Sequence, residues 1–184
     1  MQLKEIVSQV NGDVEEEYDA ATIVGWVNRA LDDLTPIAKM EAYISYSIDS
    51  ANSYPLPADY HNDAMLLVND YQWNERPLSD RKSTGYRKWA GKLSLQGSVP
   101  SSGTIDLYFY RRLKHLSTDK MEAEPEIEPE YHDLLIHYAA GMIQFTEEEY
   151  DRPDAMGKYN QRKEEYAAYK ISQLPPSFIR MEYP

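Results

Sequence analysis

Apolar residues recur with a helical period near the start of the chain. From Leu3 to Val10 they lie three to four positions apart, and the run stops at an Asn-Gly pair. A second helical stripe begins after Asp19, a favoured N-cap residue, and is expected to run to about Lys39. Pro36 is expected to bend or end that helix, because proline removes a backbone hydrogen bond and crowds the preceding turn. The pattern therefore predicts two helices at the front of the chain.

The period changes to two in the middle of the chain. Alternating apolar and polar residues predict strands at 43–48, 93–95 and 105–110, and a denser apolar run at 64–68 predicts a more buried strand. Turns rich in proline, glycine and serine separate these runs. We expect residues 42–113 to form a small antiparallel sheet inserted between helices.

The helical period returns after an acidic loop at 119–128. Pro129 and Glu130 mark a helix start, since proline suits the first helical position and acids favour the positive end of the helix dipole. A last helix is expected at about 154–173, and the two prolines that follow must end it. The face predicted for the first of these helices carries Tyr131, Leu134, Leu135, Tyr138, Met142 and Phe145.

These elements predict an α+β fold: mainly an α-helical bundle with an inserted small antiparallel β-sheet and an extended C-terminal tail. At 184 residues, with 42% hydrophobic and 27% charged residues, the chain is expected to be one soluble domain. No apolar run reaches the roughly 18 residues of a membrane helix, and no membrane partner is expected. The domain divides into a helical part (1–41), the β insertion (42–113), a second helical part (129–173) and a tail (174–184).

Charge is divided along the chain. The sequence has 31 acids and 19 bases, a formal net charge of −12, yet residues 75–115 hold nine bases and three acids. Because Tyr86, Trp89 and Tyr110 lie among those bases, the segment is compatible with nucleic-acid binding. The opposite charge elsewhere favours contact between subunits instead. The predicted inter-subunit residues are Arg81, Lys82, Arg87, Lys88, Arg111 and Arg112.

The sequence predicts no catalytic, cofactor-binding or metal-binding residue. It contains no cysteine and no glycine-rich nucleotide-binding motif. His132 and His137 are five residues apart, which places them on different helix faces, and we expect both to face solvent or an interface. The acidic run at 147–151 is expected to be a solvated helix end. The protein is therefore predicted not to be an enzyme, and a hydrolase built on one of these histidines is the weakest alternative.

The end of the chain has the composition of a docking segment. Four large apolar side chains follow two prolines within ten residues, where no further element would bury them. We expect this tail to stay extended and poorly ordered until it binds another protein. The predicted docking residues are Pro175, Pro176, Phe178, Ile179, Met181 and Tyr183.

Four segments, in the correct order, resemble the head-to-tail adaptor proteins of tailed phages, also called head-completion or connector proteins. Residues 26–34 resemble that family's "W-I-N-x-A-x-x-x-L" helix, and residues 54–60 its "Y-x-L-P-x-D-[FY]" entry into the inserted sheet. Residues 105–113 resemble its "I-x-L-x-Y-Y-R-x-P" strand, with Leu113 where proline is usual. Residues 130–139 resemble its "P-x-E-Y-H-D-x-L-x-x-Y-A" helix.

This resemblance implies a structural virion protein, made in the host cytoplasm and located in the neck between head and tail. It implies a homo-oligomeric ring, generally dodecameric, that joins the portal protein above to a tail, stopper or tail-tube protein below. Double-stranded DNA would pass through the channel without specific binding, and the tail at 175–184 would dock on the portal. The main alternative is a nucleic-acid-associated assembly factor that uses the basic 75–115 segment.

Overall fold

The computed structural model describes residues 1–14, 17–80, 82–147 and 154–173, with only the backbone of residues 146 and 147. The α-helices within these ranges are α1 (Leu3–Asp13), α2 (Ala20–Ala38), α3 (Asp133–Glu147) and α4 (Ala155–Ser172). Single turns of 3-10 helix lie at Thr118–Lys120 and Pro129–Tyr131. The strands are β1 (Met40–Ser47), β2 (Ser53–Pro55), β3 (Tyr60–Val68), β4 (Tyr71–Trp73), β5 (Gly85–Trp89), β6 (Lys92–Gln96) and β7 (Thr104–Arg111).

The described strands form two antiparallel sheets. The first has four strands in the order β1-β7-β3-β4, and the second has three in the order β2-β6-β5. Helices make up 41% and strands 26% of the structure, so the predicted mainly helical bundle with one small sheet is wrong. The fold is a mixed α+β fold in which the strands are prominent.

The alternation of apolar and polar residues does not predict all of the strands. β5 contains a glycine and two adjacent bases, and the first half of β3 is polar, so neither shows apolar alternation over its full length. Tertiary pairing makes these segments strands, because β-propensity depends on the neighbours a residue packs against.

The chain divides into two compact units. The helical unit comprises residues 1–38 and 113–184, and the sheet unit comprises residues 39–112. The single-domain division expected from the sequence stays a prediction.

In the helical unit, α3 packs against α1, α2 and α4. Leu31 of α2 and Leu135 of α3 are fully buried, as the apolar stripes predict. The predicted apolar face is wrong at Phe145, which is 69% exposed, whereas Ile143 is fully buried. Because three helices surround α3, more than one of its faces is covered, and a single stripe cannot describe it.

One hydrophobic cluster in the sheet unit draws on both sheets. The first sheet supplies Leu66, Val68, Ile105, Leu107 and Phe109, and the second supplies Tyr54, Tyr86, Leu93 and Leu95. The two sheets therefore share one core, as in a sandwich.

Candidate interaction surfaces

Asn28 on α2 holds the chain where it returns to the helical unit. Its side-chain amide donates to the carbonyl of Leu116 at 2.9 Å, and the amide of Leu116 donates back to its oxygen at 2.8 Å. Nearby, the buried hydroxyl of Thr35 donates to the carbonyl of Leu31 and accepts from the amide of Leu113. These bonds satisfy backbone groups that burial would otherwise leave unpaired.

A polar cluster joins the two sheets inside the sheet unit. Asp63 of β3 accepts hydrogen bonds from Tyr86 and Lys88 of β5, and from the hydroxyl of Tyr60 at 2.8 Å. Lys88 also lies 3.0 Å from a carboxylate oxygen of Glu75. The side chains of Asp63 and Lys88 are only 13% and 18% exposed. The register of β3 against β7 shifts on both sides of Asp63, as is common where a strand re-aims a side chain.

The cluster stabilises the charged forms of its acid and its base. Burial alone would raise the pKa of Asp63, but the hydrogen bonds from Lys88 and the two tyrosines outweigh it and hold the pKa below its usual value. Burial would lower the pKa of Lys88, and its contacts with Asp63, Tyr60 and Glu75 raise that pKa instead. Burial also raises the pKa of Tyr60 to about 12. Lys88 therefore serves as an internal ion-pair partner of Asp63.

α4 has three buried residues, Ala155 and two tyrosines. Tyr159 is nearly fully buried, and its hydroxyl donates to Asp33 of α2 at 2.5 Å. Tyr166 is fully buried, and its hydroxyl donates to Glu128 at 2.9 Å. Burial raises the pKa of both hydroxyls, and the neighbouring carboxylates raise it further. Each buried ring thus brings a hydroxyl to a carboxylate on another segment of the helical unit.

The bases of α4 also make contacts within the helical unit. Lys163 and Lys170 pair with Asp33 and Glu128 at 2.5 and 3.0 Å. Arg162 lies over the ring of Tyr131, 4.6 Å from its centroid, and also bonds to Asp133, Glu165 and the carbonyl of Glu130. Although the sequence of α4 is rich in charged residues, several of these residues contact other segments of the helical unit.

His132 is 1% exposed, so the expectation that it faces solvent or an interface is wrong. Its Nε2 lies 3.0 Å from the carbonyl of Ile127, and burial lowers its pKa. His137, which is partly exposed, lies 4.0 Å from Asp133. The contact with Ile127 gives His132 a role in fixing the segment that leads into α3.

The predicted inter-subunit bases differ in their surroundings. Lys82 and Arg112 are exposed, whereas Arg87 and Arg111 are half-buried and Lys88 is paired internally. Two guanidinium nitrogens of Arg87 are buried without a hydrogen-bond partner among the described residues. Arg81, the six docking residues of the tail, and the acidic residues 148–151 lie outside the described residues.

Large apolar side chains are exposed at several places in the described structure. Tyr43 of β1 is 55% exposed, and its ring lies 5.0 Å from that of Tyr108 on β7. The others are Tyr71, Leu78, Trp89, Tyr108, Phe145 and Ile171. Among the described residues, no helix combines the length and apolar content needed to cross a membrane. In the same ranges, no group of three or more histidine or acidic side chains is placed to hold a metal ion.

A family model described as SU10 adaptor protein matches residues 1–175. The match spans all four segments that carry the resemblance to phage adaptors, and it confirms that resemblance. The structure gives several motif residues contacts within their own unit: Asn28 holds the returning chain, Tyr60 binds Asp63, and His132 binds Ile127. No curated protein matches the chain. The chain belongs to the SU10 adaptor protein family, a family of phage head–tail adaptors.

Proposed function

We propose that this protein forms a ring, generally dodecameric in such adaptors, that joins the portal vertex of the capsid to the tail and lines the DNA channel. The observation that carries the proposal is the family match over residues 1–175. As a phage adaptor, the protein is a structural component of the virion at the interface of portal and tail components, in the neck. The component below the ring is a tail, stopper or tail-tube protein.

The division of charge between the units supports a ring. The helical unit holds 23 of the 31 acids and 10 of the 19 bases, whereas the sheet unit holds eight acids and nine bases. A head-to-tail ring needs two different, complementary surfaces on each subunit. We place the exposed bases Lys82 and Arg112 on the surface that meets the acidic helical unit of the next subunit.

Reversing those two charges tests this interface. The double variant Lys82→Glu, Arg112→Glu should weaken ring formation while its melting temperature stays that of the wild type, because both side chains are exposed. The loss should be largest at low salt, where exposed charges are least screened. Lys120→Glu, an equally exposed reversal on the helical unit, is the control and should leave assembly intact. Normal assembly by the double variant would show that these two bases do not lie in the interface.

An acid-rich channel wall suits the passage of DNA. Phosphate binding is driven by neutralisation with lysine and arginine, so a wall with an excess of carboxylates lets DNA slide without specific binding. The alternative function, a nucleic-acid-associated assembly factor using residues 75–115, has less support, because Lys88 pairs with Asp63 and Lys114 with Glu126. Tight, salt-sensitive DNA binding by the purified protein would favour that alternative.

We further propose that residues 175–184 dock on the portal. Burying four large apolar side chains gains roughly 1.5–3 kcal/mol each, while ordering the backbone costs on the order of 1–2 kcal/mol per residue. Over about ten residues the cost of ordering matches or exceeds the gain from burial, so one tail binds weakly by itself. Many tails on one ring bind together at high effective concentration, which makes the joint stable.

Deletion of residues 175–184 should spare folding and abolish attachment to the portal, leaving filled heads that leak DNA or lack tails. A second variant keeps the length of the tail but replaces Phe178, Ile179, Met181 and Tyr183 with serine. It should also fold and fail to attach to the portal. As the control, Ala at Arg180 and Glu182 removes the charges of the same segment and should retain attachment. Portal binding by the purified protein and complementation of an adaptor-deficient phage give the two readouts. Normal attachment by the protein without residues 175–184 would show that the docking surface lies elsewhere.

A further inference from the structure

β1 is a long strand with an open edge. It has eight residues and pairs with β7 on one side only. An open edge offers a row of unpaired backbone groups to any other extended chain, and proteins usually protect it with short strands, proline, lysine or a covering segment. The sequence of β1 contains no proline, glycine or basic residue, and its one charge is Glu41.

The other three sheet edges in the described structure are protected. β4 has three residues, and β2 has three residues and ends in Pro55. The edge of β5 is covered by the segment after β4: the amide of Arg76 donates to the carbonyl of Tyr86, and the amide of Tyr86 donates to the carbonyl of Asn74. β4 pairs only with the second half of β3, but two register shifts interrupt the first half, and such irregularities also protect an edge. Among the described strands, β1 alone is therefore open along its whole length.

The outward backbone groups of β1 follow from its pairing with β7. The register places Ser47 opposite Thr104, and one position further the amide of Ile48 donates to the carbonyl of Gly103 at 2.9 Å. In an antiparallel pair, the N–H and C=O of one residue point to the same side and successive residues alternate. The even-numbered residues thus bond to β7, and the outward groups belong to Glu41, Tyr43, Ser45 and Ser47.

We propose that β1 pairs antiparallel with β1 of a second copy of this chain, about a two-fold axis at Tyr43. In this register Tyr43 lies opposite Tyr43 of the second copy, and Glu41 lies opposite Ser45, so three of the four outward residues meet an outward residue; Ser47 lies beyond the paired segment, opposite Lys39. The two Glu41 carboxylates are four positions apart along the strands, about 14 Å, and do not oppose each other. The two four-stranded sheets become one continuous eight-stranded sheet.

Strand length and charge favour a second copy as the occupant. Within the described structure, only β1 offers an open edge of eight residues, so only another β1 supplies an equally long partner. The sheet unit is also nearly neutral, with nine bases and eight acids, whereas the helical unit carries a large excess of acids. Two copies therefore meet with least repulsion through their sheet units.

This pairing is separate from the proposed ring. A two-fold pair uses the same surface twice, whereas a ring uses two different surfaces. The pair belongs to the free protein, in which it covers an edge prone to aggregation before the neck assembles. If the two-fold pair does not form, the ring proposal is unaffected, because the ring is tested with the portal present.

The absence of cysteine allows a direct test by cross-linking. Residues opposite each other in a hydrogen-bonded pair have Cα atoms about 5.5 Å apart, within the disulfide range of roughly 4.4–6.8 Å. Under mild oxidation, Tyr43→Cys should run as a disulfide-linked dimer on a non-reducing gel. Tyr71→Cys, at a more exposed tyrosine on β4, and Ser47→Cys, at the end of β1, are the controls and should stay monomeric. No dimer from Tyr43→Cys, or equal dimer from all three, overturns the proposal.

Sedimentation equilibrium provides a second measurement without oxidation. In Tyr43→Lys two lysines would oppose each other across the axis, so the measured mass should fall from that of two chains to that of one, 21.3 kDa. Tyr71→Lys is the control and should keep the mass of the wild type. An unchanged mass for Tyr43→Lys, with its fold verified by circular dichroism, also overturns the proposal.

Discussion

Replacing Lys88 by methionine should destabilise the sheet unit, although the substitution keeps most of the side-chain volume. Lys88 is the base that pairs with Asp63 across the two sheets, and both side chains are mostly buried. In Lys88→Met, Asp63 keeps its hydrogen bonds from Tyr60 and Tyr86 but loses its counter-charge. An isolated charge in such a place is costly, because burial removes water without replacing its interaction with the ion.

The expected loss of stability lies between the cost of removing one hydrogen bond and the cost of breaking a fully buried ion pair. Removing a hydrogen bond to a charged group costs about 1.5–3 kcal/mol, and breaking a buried pair costs about 3–5 kcal/mol. Since Asp63 retains two tyrosine donors and some exposure, we expect Lys88→Met to lower the free energy of unfolding by about 2–4 kcal/mol at neutral pH. The contact with Glu75 adds little, because that carboxylate is half exposed.

The loss should depend on pH in a definite direction. The pKa of Asp63 is lowered in the folded protein, so its stabilisation is complete above the unfolded pKa of about 4 and is lost as pH falls through the folded pKa. Without Lys88, we expect burial, the largest single influence on the pKa of Asp63, to outweigh the two tyrosine hydrogen bonds and raise that pKa, so protonation then favours the folded state. The difference in the free energy of unfolding between wild type and Lys88→Met should therefore become smaller as pH falls from about 7 to about 3.

Urea unfolding of both proteins across this pH range measures the difference. Lys92→Met, at an exposed lysine on the neighbouring strand, is the matched control and should change stability by less than about 0.5 kcal/mol. If Lys88→Met is as stable as that control at neutral pH, or if its deficit is constant with pH, the ion pair does not join the two sheets as described.

Two further substitutions test the packing of the helical unit. Leu135→Ala should cost about 2–5 kcal/mol in denaturant unfolding, because it leaves a cavity at a fully buried site, whereas Phe145→Ala should cost less than about 0.5 kcal/mol; equal losses would show that the assigned face is wrong. Tyr166→Phe keeps the buried ring and removes its hydroxyl from Glu128, and should cost about 1.5–3 kcal/mol. Tyr169→Phe, on the same helix, should match the wild type, and an equal effect of both would contradict the role given to the hydroxyl of Tyr166.

The elements that the sequence predicts well are those whose pattern is local. Asp19 does begin α2: its carboxylate accepts from the amide of Thr22 at 3.0 Å, as an N-cap residue does. The helix extends through Pro36 to Ala38, close to the predicted end. The alternation at 105–110 likewise becomes β7, with Ile105, Leu107 and Phe109 buried.

Long-range pairing accounts for most of what the sequence does not predict. Asp63 and Lys88 are 25 residues apart, and no periodicity brings them together; only the packing of two sheets does. The sequence does not distinguish Lys88, which is mostly buried, from Lys82, which is exposed, because burial and side-chain partners are not local properties. Five acids at positions 41–70, before the basic segment at 75–115, join its three acids to offset the bases, so the sheet unit as a whole is nearly neutral.

The structure of a purified complex with the portal tests the central claim most directly. Single-particle images of this protein mixed with portal complexes should show a closed ring of adaptor subunits, coaxial with the portal and surrounding an open channel. The helical unit, with its excess of acids, should line that channel. Portals without added density on their axis, or with adaptor subunits bound singly around the rim, would contradict the account of this protein as a ring-forming connector.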